Sequence, residues 1–144
     1  MAATRAVLLE DLPGHLFRRL HQLAVAHFTA EMKDGLTPIQ WAALMTTAQR
    51  PGLDQSTLSR EIYIDTSTVA GVLDRLEVRG LIRREASVDD RRLRLLYVTV
   101  EGEMLLKNAT VAVLEMQERL MEPLSPKERG LLMELMVKLI RRLE

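Results

Sequence analysis

Cysteine is absent from the 144-residue chain, which excludes structural disulfides, thiolate zinc sites and thiol-based redox sensing. No apolar run approaches the roughly eighteen residues that a membrane span needs. The opening "MAATRAVLLEDLPGHL" carries acids where a signal peptide would have its hydrophobic stretch, so a cytoplasmic location is expected. Net charge is also lacking: 20 basic residues face 20 acidic ones, unlike a protein that coats nucleic acid without specificity. Catalytic signatures are missing as well. The seven glycines are scattered, and no nucleophile elbow, phosphate loop or metal-spaced cluster appears. An enzyme is therefore not expected, nor any cofactor or metal.

What is present is a chain of one-domain length with 47% apolar residues, enough for a core. "TPIQ" at Thr37–Gln40 and "SPKE" at Ser125–Glu128 read as N-cap, proline at the first helical position and a capping-box partner. Asp54, one of Asp65, Thr66 or Ser67, and Thr99 offer further caps, while Gly80 suits a left-handed helix end. Helices are predicted at about 7–32, 38–49, 55–62, 67–79, 101–122 and 126–143. "LIRRE" and "RLRLLYV" are predicted as two short strands around a charged tip. The fold class expected is mainly α with a small β-hairpin wing.

The first and last helices carry apolar stripes, Leu16, Leu20, Leu23 and His27 in one and Leu132, Leu135, Met136, Leu139, Ile140 and Leu143 in the other. A compact middle would leave these stripes little to pack on, whereas a helical dimer interface would bury them.

The middle contains a helix-turn-helix pattern, "DQSTLSREIYIDTSTVAGVLDRLEVRG", with Leu58, Ile62, Ile64, Val69, Val72, Leu73 and Leu76 as inward anchors. That spacing turns Thr66, Ser67, Thr68, Gly71 and Arg75 to solvent, where hydroxyls, backbone amides and a guanidinium suit phosphates and base edges. A hairpin with arginines at its tip follows, which makes the pattern a winged helix whose wing reaches the backbone or minor groove. Asp90 is expected to hold one of Arg91 and Arg92 and leave the other pointing outward. Ser56, early in the preceding helix, completes the candidate DNA-binding set. Between Leu58 and Arg94 eight arginines face seven acids, so any DNA binding rests on a few well-placed arginines. The competing reading is a winged-helix protein-interaction module without sequence-specific DNA binding.

"STVAGVLDRLEVRGLIRRE" followed by "DDRRLRLLYVTVEG" resembles the recognition helix, junction and wing signature of the MarR family of bacterial transcription regulators. Asp90, Arg91, Arg92, Val98, Thr99 and Gly102 match that signature, and the helix order extends the resemblance over essentially the whole chain. Ala70 and Gly71 depart from it, standing where many members carry threonine and a basic residue. The resemblance implies an obligate homodimer: residues 36–100 form the DNA-binding lobe of a single MarR-like chain, 1–144, and 7–33 plus 101–144 form an intertwined helical dimerisation region. The partner implied is a double-stranded pseudo-palindromic operator with half-sites roughly 34 Å apart.

Many similar proteins are released from DNA by a small aromatic or phenolic carboxylate. His15, Arg18, Arg19 and His21 on the first helix, with Gln40, Trp41 and Tyr63, offer cations, imidazoles and an aromatic wall for such an anion. Against this, Trp41 and Tyr63 also read as helical core positions. Arg18 and His21 are favoured as anion contacts, from their likeness to the family's pocket side. The expected function is a ligand-responsive repressor, with hydroxybenzoates or hydroxypyridine carboxylates as effectors.

Overall fold

The computed structural model describes residues 7–144; the first six residues, part of the stretch read above as lacking a signal peptide, lie outside it. Among the described residues there are six α-helices and one two-stranded sheet: α1 (Pro13–Glu31), α2 (Pro38–Gln49), α3 (Gln55–Glu61), α4 (Thr66–Val78), β1 (Ile82–Ala86), β2 (Arg94–Val98), α5 (Val100–Leu120) and α6 (Pro126–Leu143). The expected class is the observed one. The first helix, however, begins at Pro13 and not near Val7, after a single 3-10 turn over Leu9–Asp11. Proline cannot continue a helix that precedes it, and it drives Leu12 into extended backbone. Elsewhere the helix ends differ from the expected ones by at most two residues.

Local chemistry accounts for those ends. Thr37 and Gln40 form a reciprocal capping box, with Gln40 N donating to Thr37 Oγ1 at 3.2 Å and Thr37 N to Gln40 Oε1 at 3.1 Å. Ser125 and Glu128 repeat it, and the Ser125 backbone N–H holds the Glu128 carboxyl below its usual range. At the end of α4, Gly80 N donates to Glu77 O and Leu81 N to Leu76 O, each at 2.9 Å, a Schellman closure that Gly80 permits with φ +71.

The hairpin pairs antiparallel in the register Ile82↔Val98, Arg84↔Leu96 and Ala86↔Arg94. Its free edge is partly closed by the α2–α3 loop, where Gly52 N donates to Leu96 O at 2.8 Å and Leu96 N to Leu53 O at 2.9 Å. One apolar cluster joins Leu44, Leu58, Val69, Leu73, Leu76 and Leu96 to Phe28 and Met32 of α1 and to Leu106, Ala109, Val113 and Met116 of α5. The base of the wing, the end of α1 and one face along most of α5 therefore share a core. α6 buries none of its residues, and Leu16, Phe17, Leu20 and Leu23 of α1 are exposed.

Candidate nucleic-acid interface

The turn between α3 and α4 is closed by Ile64 N donating to Ser59 O at 3.1 Å and by the Ser59 hydroxyl donating to Ile64 O. Tyr63 sits within it at φ +57, a left-handed conformation in a non-glycine residue. The residue is 79% exposed, so Tyr63, a candidate effector residue, is in neither a helix nor the core, contrary to the competing reading of it as a helical core position.

Asp65 is the N-cap of α4, accepting from Thr68 N at 2.9 Å, Ser67 Oγ at 2.6 Å and Thr68 Oγ1 at 2.7 Å. These bonds, the Ser67 hydroxyl first among them, lower its pKa from 3.8 to about 2. Ser67 and Thr68 thus stand at the helix start with their hydroxyl protons directed to Asp65. Thr66 and Ser56 are exposed, and Gln55, next to Ser56, donates to Thr66 O at 3.4 Å. Val69, Val72, Leu73 and Leu76 face the core, which turns Arg75 outward. A Cβ added at the half-buried Gly71 would meet nothing within 4 Å, so the groove beside it is open.

At the wing tip Asp90 accepts from the Arg92 backbone N–H at 3.0 Å, from Nε at 3.2 Å and from Nη2 at 3.4 Å. Chiefly through the Arg92 side chain, its carboxyl is held below the ordinary range. Arg91 is exposed, and among the described residues its side chain has no partner. The wing is also braced from beneath. Arg84 of β1 pairs with Asp74 of α4, and its Nε lies 3.2 Å from Glu77 Oε2, close enough for charge attraction but not aligned for a hydrogen bond. Sequence reasoning missed this brace. Two acids three residues apart on one helix face were a legible signal, but which arginine meets them depends on strand register.

The candidate effector residues are more dispersed. On α1, Arg18 Nη2 lies 3.1 Å from His15 Nδ1 and Arg18 Nη1 donates to Gln22 Oε1 at 3.3 Å, while Arg19 and His21 are exposed. Gln40 is buried with its amide engaged in the Thr37 cap. Trp41 packs half-buried against the core, with its Nε1 buried and without a hydrogen-bond partner among the described residues. A depression of about 440 Å³ is lined by Gly35, Gln40, Asp74, Arg75, Val78 and Arg79, of which only Gln40 is among the candidate effector residues. No group of three or more His, Cys, Asp or Glu among the described residues could hold a metal, and none of their helices is long and apolar enough to cross a membrane.

A helix-turn-helix, an exposed second helix and a hairpin carrying arginines define a winged-helix DNA-binding protein. Residues 34–93 match the model of the MarR family. Over 132 residues the chain is 35% identical to the transcriptional regulator HosA of Escherichia coli, covering 92% of this chain and 97% of that protein. The chain belongs to the MarR family of transcriptional regulators. Its fold is also that of the regulator PcaV of Streptomyces coelicolor, solved with its natural ligand, at a TM-score of 0.90 and 32% identity over 98% of this chain and 100% of that one. BpsR of Bordetella bronchiseptica, whose DNA binding is regulated by 6-hydroxynicotinic acid, superposes at 0.88 with 27% identity over 94% of this chain and 97% of that one.

Proposed function

We propose that this protein is a ligand-responsive repressor that binds a pseudo-palindromic operator as a homodimer and is released by a small aromatic carboxylate, such as a hydroxybenzoate or hydroxypyridine carboxylate. Residues 36–100 are the reading lobe, and 7–33 with 101–144 the dimerisation region. The observation that carries the reading is the pairing of two exposed elements. One is the α4 face with Thr66, Ser67, Thr68, Gly71 and Arg75; the other is a wing tip where Asp90 holds Arg92 and Arg91 has no partner among the described residues. Ser56 at the start of α3 adds a hydroxyl beside them. The helix enters the major groove and the wing reaches the adjoining backbone or minor groove.

Support for the effector comes from α1 and α2. The His15 and Arg18 pair, with Arg19 and His21, supplies cationic and imidazole donors on α1. Trp41 adds an aromatic wall and an indole N–H in need of an acceptor. BpsR supports the ligand class, since 6-hydroxynicotinic acid is a hydroxypyridine carboxylate. Release follows if the effector binds best at a lobe spacing that does not fit the operator.

The test is capture of genomic DNA by the purified protein, then titration of an enriched duplex at two salt concentrations, with and without 6-hydroxynicotinate or 4-hydroxybenzoate. The expected result is a pseudo-palindrome bound with a steep salt dependence and released by one of the two acids in the native protein but not in His21→Ala. Equal release in both proteins removes His21 from the effector site. Absence of salt-dependent duplex binding replaces the regulator with a protein-interaction module.

A further inference from the structure

The eight arginines between Leu58 and Arg94 differ in what already holds them. Arg60 donates to Thr57 Oγ1 at 3.3 Å and Arg79 to the Asp34 carbonyl at 2.9 Å. Arg83 pairs with Glu85 and lies 4.4 Å from the centroid of the Tyr97 ring. Arg84 is engaged by Asp74 and Glu77, and Arg92 by Asp90. Among the described residues, only the side chains of Arg75, Arg91 and Arg94 in this set have no ion-pair or hydrogen-bond partner, and all three are exposed. Arg75 and Arg91 belong to the interface proposed above. Arg94 does not.

Its place on the wing gives it a role. In the register Ile82↔Val98, Arg84↔Leu96, Ala86↔Arg94, all six residues share one face of the hairpin. That face is turned toward the body of the lobe: Arg84 of β1 reaches Asp74 and Glu77 of α4 from it, and Ile82 and Leu96 are buried on it. Burial falls along the face from Ile82 at the base to the exposed Ala86 and Arg94 at its outer end. Arg94 therefore stands on the same side of the wing as Arg84, in the next cross-strand pair of that face toward the tip. Asp74 and Glu77, the acids on the neighbouring face of α4, are engaged by Arg84, and neither forms an ion pair with Arg94.

We propose that Arg94 is a DNA phosphate contact in the cleft between the wing and α4, and that Arg84 is the positioning residue that sets the width of that cleft. The proposal rests on the DNA-binding reading above. With α4 in the major groove and the wing over the adjoining backbone, the strand between them passes this face of the hairpin. A guanidinium with no internal partner gives up no protein contact on meeting a phosphate. Arg84 acts through geometry alone, since its charge is already committed to two carboxylates.

The experiment is an anisotropy titration of the enriched duplex, and of a mixed-sequence duplex of equal length, over a series of salt concentrations. The proteins compared are the native chain, Arg94→Ala, Arg94→Lys and Arg84→Met, each checked for an unchanged helical spectrum. Arg94→Ala is expected to bind more weakly and to reduce the slope of log K against log salt by about 0.9 on both duplexes, so that its deficit shrinks about threefold between about 50 and 200 mM salt. Arg94→Lys keeps the native slope. Arg84→Met weakens binding at an unchanged slope. A steep native slope with no change in Arg94→Ala overturns the Arg94 contact while leaving the regulator standing. A slope lost in Arg84→Met makes Arg84 a contact and overturns its positioning role. A flat native profile removes the DNA-binding reading and this proposal with it.

Discussion

At Gly102 the path of the backbone leaves no room for a side chain. A Cβ there would lie 2.1 Å from the Leu81 carbonyl oxygen and 2.7 Å from Val98 Cγ1, because the first turn of α5 presses on the junction between α4 and the wing. Thr99 fixes the same contact, its hydroxyl donating to Gly80 O at 2.6 Å and accepting from Gly102 N at 3.0 Å. Gly102→Ala should therefore lower stability by about 3 kcal/mol, because the opposing atom is backbone and cannot swing aside. Urea denaturation measures it, and a midpoint equal to the native one would refute the close approach. Tyr63 is the opposite case. Its left-handed backbone and exposed ring mean that Tyr63→Gly removes strain without opening a cavity. The variant is expected to be more stable by about 1 kcal/mol, seen as a higher melting temperature. A lower one would show that the ring contributes packing that outweighs the strain.

The start of α4 depends on ionised Asp65. Its carboxyl is lowered from 3.8 to about 2 by the Ser67 and Thr68 hydroxyls and the Thr68 amide. A depressed carboxylate stabilises the fold fully above its unfolded value, and that contribution is lost as pH falls through the folded one. The loss should therefore occur between pH 3.8 and about 2, and Asp65→Asn should lack that component. Denaturant melts of both proteins across this range measure the difference; parallel profiles would sink the cap assignment. The elements themselves were largely legible in the sequence, since Thr37, Asp54, Asp65, Thr99 and Ser125 all cap the helices that their neighbours suggested. The first helix starts later than its apolar pattern suggests, because apolar residues continue upstream of Pro13 while the proline itself takes the first helical position.

For the whole molecule, the unpaired faces of α1 and α6 matter most. Leu16, Leu20 and Leu23 are about half exposed, as are Leu135, Leu139 and Ile140, and together they form the surface through which the proposed dimer would assemble. Leu20→Glu combined with Ile140→Glu should yield a monomer by sedimentation equilibrium, keeping the core cluster, to which neither residue belongs, but losing helical signal from α6, which buries no residue within its own chain. Operator affinity should then fall on the order of 100-fold, as one tethered lobe is lost. A doubly substituted protein that still sediments as a dimer would place the interface elsewhere.

The sequence by itself determined the helix and strand order, the caps, the winged-helix pattern and the family, because each is written in spacings of a few residues. Tertiary structure decided which charges remain available. Asp90 was legible as the partner of a neighbouring arginine, two positions away in one tight turn. Arg84 with Asp74 and Glu77, Arg79 with the Asp34 carbonyl, and the absence of a partner for Arg94 among the described residues were not. Those outcomes depend on strand register and on how the hairpin leans against α4. Segments far apart along the chain meet only once the core has closed, and no local periodicity encodes which guanidinium is then left over.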